Sequence, residues 1–164
     1  MSKKPEITLK NIKHHVGLSE ETYCYTATIY VDNKRWGTTE NRGHGGSDNI
    51  CAFTGGHQEV GRLNALVKAS CPKWGSEFEY GVEYETDLEM ALHDLVTDWI
   101  REKELKSQLR RKWTYVRGDS VYEIPKTKVA DLDRLRGAKW AKDVTFLNDL
   151  PFADARAQWN RCLA

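Results

Sequence analysis

Between Tyr23 and Val31 the chain alternates strictly. Tyr23, Tyr25, Ala27, Ile29 and Val31 fall on one side of an extended backbone, and Cys24, Thr26, Thr28 and Tyr30 on the other. A period of two built from β-branched and aromatic residues predicts a β-strand. Asp32-Asn33 follows, and Asn33 tolerates the left-handed conformation of a tight reversal, so a hairpin is predicted. Upstream, Ile7, Leu9 and Ile12 with Lys10, Asn11 and Lys13 between them predict a strand from Glu6 to about His14. Short connections keep successive strands adjacent, which makes this opening a three-stranded antiparallel meander.

The period then lengthens. Val60, Leu63, Leu66 and Val67 predict a helix over Gln58–Ala69, and Cys71-Pro72-Lys73-Trp74-Gly75 ends it. Glu77, Glu79, Glu83 and Glu85 alternate with Phe78, Tyr80, Val82 and Tyr84, a stretch read as an acidic loop in preference to a strand. At Thr86-Asp87-Leu88-Glu89, Thr86 is placed to cap a helix, Glu89 to reach back, and Asp87 to complement the dipole. Leu88, Ala91, Leu92, Leu95, Val96, Trp99 and Ile100 follow as one apolar stripe. They predict a helix from Asp87 to about Lys112 lying across the sheet, with Leu92, Leu95 and Trp99 nearly buried at its centre. Trp113–Val116 and Val121–Ile124, joined through Arg117-Gly118-Asp119-Ser120, predict a second hairpin closed by Pro125. A short helix over Val129–Arg136 stops at Gly137, the pattern of Ala138–Asn148 is ambiguous, and Pro151 opens a last helix striped by Phe152, Ala155 and Trp159. The fold class is therefore α+β. It is read as a single domain over residues 1–164: a flexible tail at 1–5, meander and glycine-rich loop at 6–50, helices at 57–112, and hairpin with C-terminal helices at 113–164.

Composition narrows the functional classes. The 164 residues suffice for a proper core, and 25 basic against 24 acidic residues leave a net charge of +1. That balance disfavours a generic polyanion binder and a wholesale acidic mimic of DNA. Charges interrupt every apolar window, so no membrane partner is expected, and the first residues do not read as a secretory signal. A cytoplasmic location is the expectation. Cys24, Cys51, Cys71 and Cys162 lack the spacing of a zinc knuckle or redox pair and are expected as free thiols. His44, Cys51, His57 and Cys71 match no standard metal site, so neither metal nor cofactor is expected.

Two stretches carry candidate chemistry. The first is the polar loop that follows the meander, with Asn41, Arg42, Gly43, His44, Gly45, Gly46 and Asp48 as candidate binding residues. Gly43, Gly45 and Gly46 allow backbone paths closed to other residues. An alternative reading makes their amides an anion nest for a nucleotide or phosphate, with His44 as acid or base and Asp48 orienting it. The loop lacks the lysine and following helix of a phosphate-binding P-loop. The second stretch is a basic patch, Arg101, Lys106, Arg110, Arg111, Lys112 and Arg117, beside the aromatic second hairpin. Basic residues late in a helix complement its dipole, which is the simpler account; nucleic-acid binding is the second alternative.

The runs Ile7-Thr8-Leu9-Lys10-Asn11-Ile12-Lys13, Ser19-Glu20-Glu21-Thr22-Tyr23-Cys24-Tyr25, Tyr30-Val31-Asp32 and Asn41-Arg42-Gly43-His44-Gly45-Gly46 resemble a family of small, mostly uncharacterised proteins encoded in phages, prophages and plasmids. The segment Leu147-Asn148-Asp149-Leu150-Pro151-Phe152 is similar to theirs as well. The likeness covers the first 50 residues and the last 20, and Asn33 stands where that turn usually has glycine. It implies a mobile-element origin and carries over no catalytic residue. A non-enzymatic accessory protein is therefore expected, one that binds and modulates or inhibits a bacterial host protein such as an anti-phage defence component.

Overall fold

The computed structural model describes residues 4–71 and 85–163. The fold is α+β, and its contacts group into two compact units, Met1–Asp98 and Trp99–Ala164.

The first unit holds β1 (Ile7–His14), β2 (Tyr25–Val31), β3 (Lys34–Asn41) and β4 (Asn49–Ala52), antiparallel in the order β1-β2-β3-β4. Asp32 and Asn33 both take left-handed backbone (φ 48° and 64°), so the predicted hairpin turns on two polar residues. Thr39 on β3 pairs with Ala27 on β2, and β1 pairs along β2 with a register shift at Lys10–Lys13, beside Asn11 at φ 55°. β4 was not expected. Four residues carry too little alternation to be legible, and the strand exists because β3 offers its other edge, pairing Gly37 with Ala52 and Thr39 with Ile50.

Helix α1 (Gly56–Ser70) follows, and α2 (Leu88–Arg111) begins in this unit. The core collects Ile29 from β2, Leu63 and Val67 from α1, and Leu88 and Leu92 from α2. Here Asp87 is the cap, accepting from the Met90 amide at 2.9 Å, while Asn64 of α1 accepts from the Leu88 amide at 2.9 Å. The buried line of α2 is Leu88, Leu92, Val96 and Ile100, whereas Leu95 and Trp99 are only half-buried. The stripe is broader than the surface it meets; spacing of four selects the residues that go in. Residues 77–84 of the predicted acidic loop lie outside the described residues, as do residues 1–3 of the predicted tail.

The second unit takes the rest of α2, which passes at Arg111 straight into β5 (Lys112–Arg117). β5 and β6 (Ser120–Pro125) form the predicted hairpin, and β7 (Thr145–Phe146), drawn from the ambiguous stretch, completes a sheet in the order β6-β5-β7. α3 is shorter than predicted, Leu132–Arg136, with Asp131 capping it, and α4 spans Phe152–Leu163. Leu105, Val116, Leu147, Ala155 and Trp159 form the core of this unit. Among the described residues no helix is long and apolar enough to cross a membrane.

Candidate functional site

The polar loop is built from its first residue. Asn41 ends β3 with its side chain buried, and each side of its amide is used twice. Its oxygen accepts from the Gly43 amide and from the Thr22 hydroxyl, both at 2.8 Å. Its nitrogen donates to the Gly46 carbonyl (2.8 Å) and to Asp48 Oδ1 (2.9 Å). The Gly43 carbonyl in turn accepts the amides of Glu20 and Glu21 at 3.0 Å, tying the loop to the β1–β2 connection. Gly43 is the constrained glycine: φ is +87°, and a Cβ there would lie 2.0 Å from the Leu18 carbonyl oxygen. Gly45 also has positive φ, facing the flexible Glu21 side chain. Gly46 has neither positive φ nor a neighbour within reach of a Cβ, so its expected conformational role is corrected.

Asp48 does not orient His44. Its Oδ2 accepts from the Tyr25 hydroxyl, its Oδ1 from Asn41, and its amide donates to Glu89 Oε1 at 2.8 Å. The Tyr25 phenol is pushed well above its ordinary value, first by burial and then by the hydrogen bond to Asp48. His44 stands in solvent with Nδ1 3.2 Å from Glu20 Oε2, and both side chains are more than half exposed. Arg42 is exposed.

Beside the loop runs a cleft of about 580 Å³, lined by Thr22, Asn41 and Asp48 and by Asp87, Glu89, Met90, His93 and Asp94 of the α2 start. His93 stacks on Tyr23 at 6.1 Å. In the sequence, Asp87 complements the helix dipole and Glu89 reaches back to the cap, and neither role requires a cleft. Spacing of four does place Glu89 with His93, and Met90 with Asp94, away from the buried line, but nothing local says that this face meets the loop. The setting is acidic: the first unit has 10 basic against 15 acidic residues. A phosphate would meet carboxylates here, and the Gly43 and Gly45 amides already donate to Asn41 and, at 3.4 Å, to Thr22.

The basic patch lies in the second unit and is partly committed. Lys106 pairs with Glu102 at 2.5 Å and sits over the Phe152 ring, Lys112 pairs with Glu123, and Arg117 donates to the Trp140 carbonyl. Arg111 Nε reaches the Ser107 carbonyl at 3.3 Å, while Arg110 is exposed and Arg101 half-exposed. The four cysteines are free thiols. Among the described residues no group of three or more histidine, cysteine or carboxylate side chains is arranged to hold a metal ion. Compared with protein families, with curated proteins and with solved structures, the chain finds no match.

Proposed function

We propose that this protein is a non-enzymatic binding protein that docks on a protein of a bacterial host and modulates or inhibits it. The docking face is the glycine-rich loop with the adjoining acidic start of α2. One observation carries the reading: the polar groups that chemistry would need are spent on holding the loop in shape. The Asn41 amide, the Asp48 carboxylate, the Thr22 hydroxyl and the Gly43 carbonyl all bond inward, while Arg42, His44, Glu20 and Glu21 stay exposed around them. Such a loop is preorganised for recognition, since little ordering entropy remains to be lost on contact. The resemblance to mobile-element proteins supports a host target, with an anti-phage defence component as its class.

The test is capture from nuclease-treated bacterial lysate by the immobilised protein, followed by the same capture with Glu20→Lys, Glu21→Lys and Asp94→Lys combined. A discrete partner retained by the native protein and lost with the charge reversal is expected, at unchanged thermal stability. Gly46→Ala and His44→Gln should both retain it, because neither alters the inward bonds. Capture indifferent to the reversal would overturn the assignment of the face. A catalytic activity lost in His44→Gln with partner binding intact would overturn the non-enzymatic reading.

A further inference from the structure

The near-neutral charge of the whole chain conceals a separation that follows the two units. Residues 99–164 carry 15 basic against 9 acidic residues, a net of +6, where the first unit has a net of −5. The second unit therefore has the charge of a polyanion binder, which the average over the chain masks.

Its sheet has two unlike faces. On β5, Thr114 and Val116 are buried, and Val116 belongs to the core of the unit. Alternation places Trp113, Tyr115 and Arg117 on the other face. Across the strands, Tyr115 pairs in register with Tyr122 of β6 and with Phe146 of β7, so three aromatic rings stand in one row. Tyr115 and Tyr122 stack at 5.3 Å with an interplanar angle of 13°. Trp140 closes on the row from the turn over Lys139–Asp143, its ring 5.0 Å from Tyr115. Tyr122 and Trp140 are 44% and 37% exposed, so part of each ring reaches solvent.

Cations flank the row. Arg117 fastens the Trp140 turn by donating to its carbonyl, and Lys139 and Lys142 on that turn are exposed. At the other end Lys126 lies 4.1 Å over the Trp113 ring, with Lys128 exposed two residues on. From Trp113 to Arg117 is four steps of extended chain, roughly 13 Å, enough for two or three unstacked bases on an aromatic sheet face.

We propose that this face binds single-stranded nucleic acid, bases stacking on Tyr122 and Trp140 and phosphates meeting Arg117, Lys139 and Lys142. Stacking needs a free base face, which a duplex does not offer along its length, so single strands are the ligand. The proposal rests on the second unit alone and is independent of the docking face of the first.

Fluorescence anisotropy with labelled oligonucleotides of about 12 residues, as DNA, as RNA and as a duplex, tests it in the full-length protein. Expected is binding of one or both single strands, with the duplex at least tenfold weaker. Tyr122→Ala should weaken binding about tenfold, the usual effect of losing one stacking platform, and Tyr122→Phe should restore it. Lys139→Ala with Lys142→Ala should flatten the salt dependence by about 0.7 in log–log slope per lysine. Tyr122 is exposed, so these variants leave the core intact; Trp140→Ala, read the same way, is the second variant. No binding of either single strand up to about 100 μM, the weak limit for non-specific contact, overturns the proposal and leaves the face to a protein surface. Equal binding of duplex, or binding indifferent to both aromatic variants, overturns it in favour of the basic charges of α2.

Discussion

Two asparagines hold the two units in shape, and they do so by different routes. Asn41 works largely at short range: its amide bonds to Gly43, Gly46 and Asp48, all within seven residues, and reaches further only to Thr22. Asn148 works entirely at long range. Its oxygen accepts from the Thr114 amide at 2.7 Å, and its nitrogen donates to the carbonyls of Leu109 (2.8 Å) and Lys112 (3.0 Å), 34 to 39 residues away. The first is one of the orphan carbonyls that a helix leaves at its C-terminus, and the second opens β5. α2 runs into β5 without a loop, so a distant side chain, helped by Lys126 on the Leu109 carbonyl at 2.8 Å, does the capping. One asparagine shapes an exposed loop, and the other closes an internal joint. A residue of the same type therefore shapes a surface loop in one unit and caps a helix-to-strand joint in the other.

The largest expected effect asks whether each unit has a core of its own. Leu92→Ala in the first and Leu105→Ala in the second should each cost about 2–5 kcal/mol in denaturant unfolding, since both side chains are fully buried. Leu95→Ala, half-buried, should cost about 1 kcal/mol or less by the same area argument. A Leu95 effect matching that of Leu92 would restore the broader stripe as the packed surface.

The asparagines come next. Asn148→Ala should cost about 1–3 kcal/mol of global stability, because it strands the Thr114 amide and the Lys112 carbonyl and leaves the Leu109 carbonyl to Lys126 alone. Asn41→Ala should act locally, speeding hydrogen exchange at the Glu20, Glu21 and Gly43 amides while that of Thr114 stays protected. Loss of protection at Thr114 in Asn41→Ala would break the distinction between loop and joint.

The smallest effect is titrational. The folded-state value of Tyr25 lies above that of the unfolded chain, so above about pH 10 the unfolded state gives up this proton first. The stabilising contribution is complete below that value and is lost as pH rises toward the folded-state value. Tyr25→Phe should flatten the alkaline arm of the stability curve. An unchanged slope would show that burial and the Asp48 bond do not hold the Tyr25 proton in the folded state.

Much of the fold was legible because it depends on neighbours in sequence. The alternation of Tyr25 to Val31, the Asp32-Asn33 turn, the helical spacing from Leu88 to Ile100 and the Arg117–Ser120 reversal all declare themselves within a few residues. The Asn41-x-Gly43 turn is equally local, its amide bonding two residues on, but the loop's composition alone did not declare it. Other features were settled only by partners far along the chain. β4 exists through the free edge of β3, and Leu92 rather than Leu95 is buried because Ile29, Leu63 and Val67 meet the helix along one line. The acidic cleft needs the start of α2 against Asp48, and the joint needs Asn148 beneath Leu109. Even charge followed this rule: its sum is a property of the sequence, but its separation into an acidic and a basic unit was decided by where the chain divides. Periodicity and turn chemistry act over a few residues, whereas pairing, capping at a distance and the company a charge keeps are long-range choices that the folded chain alone makes.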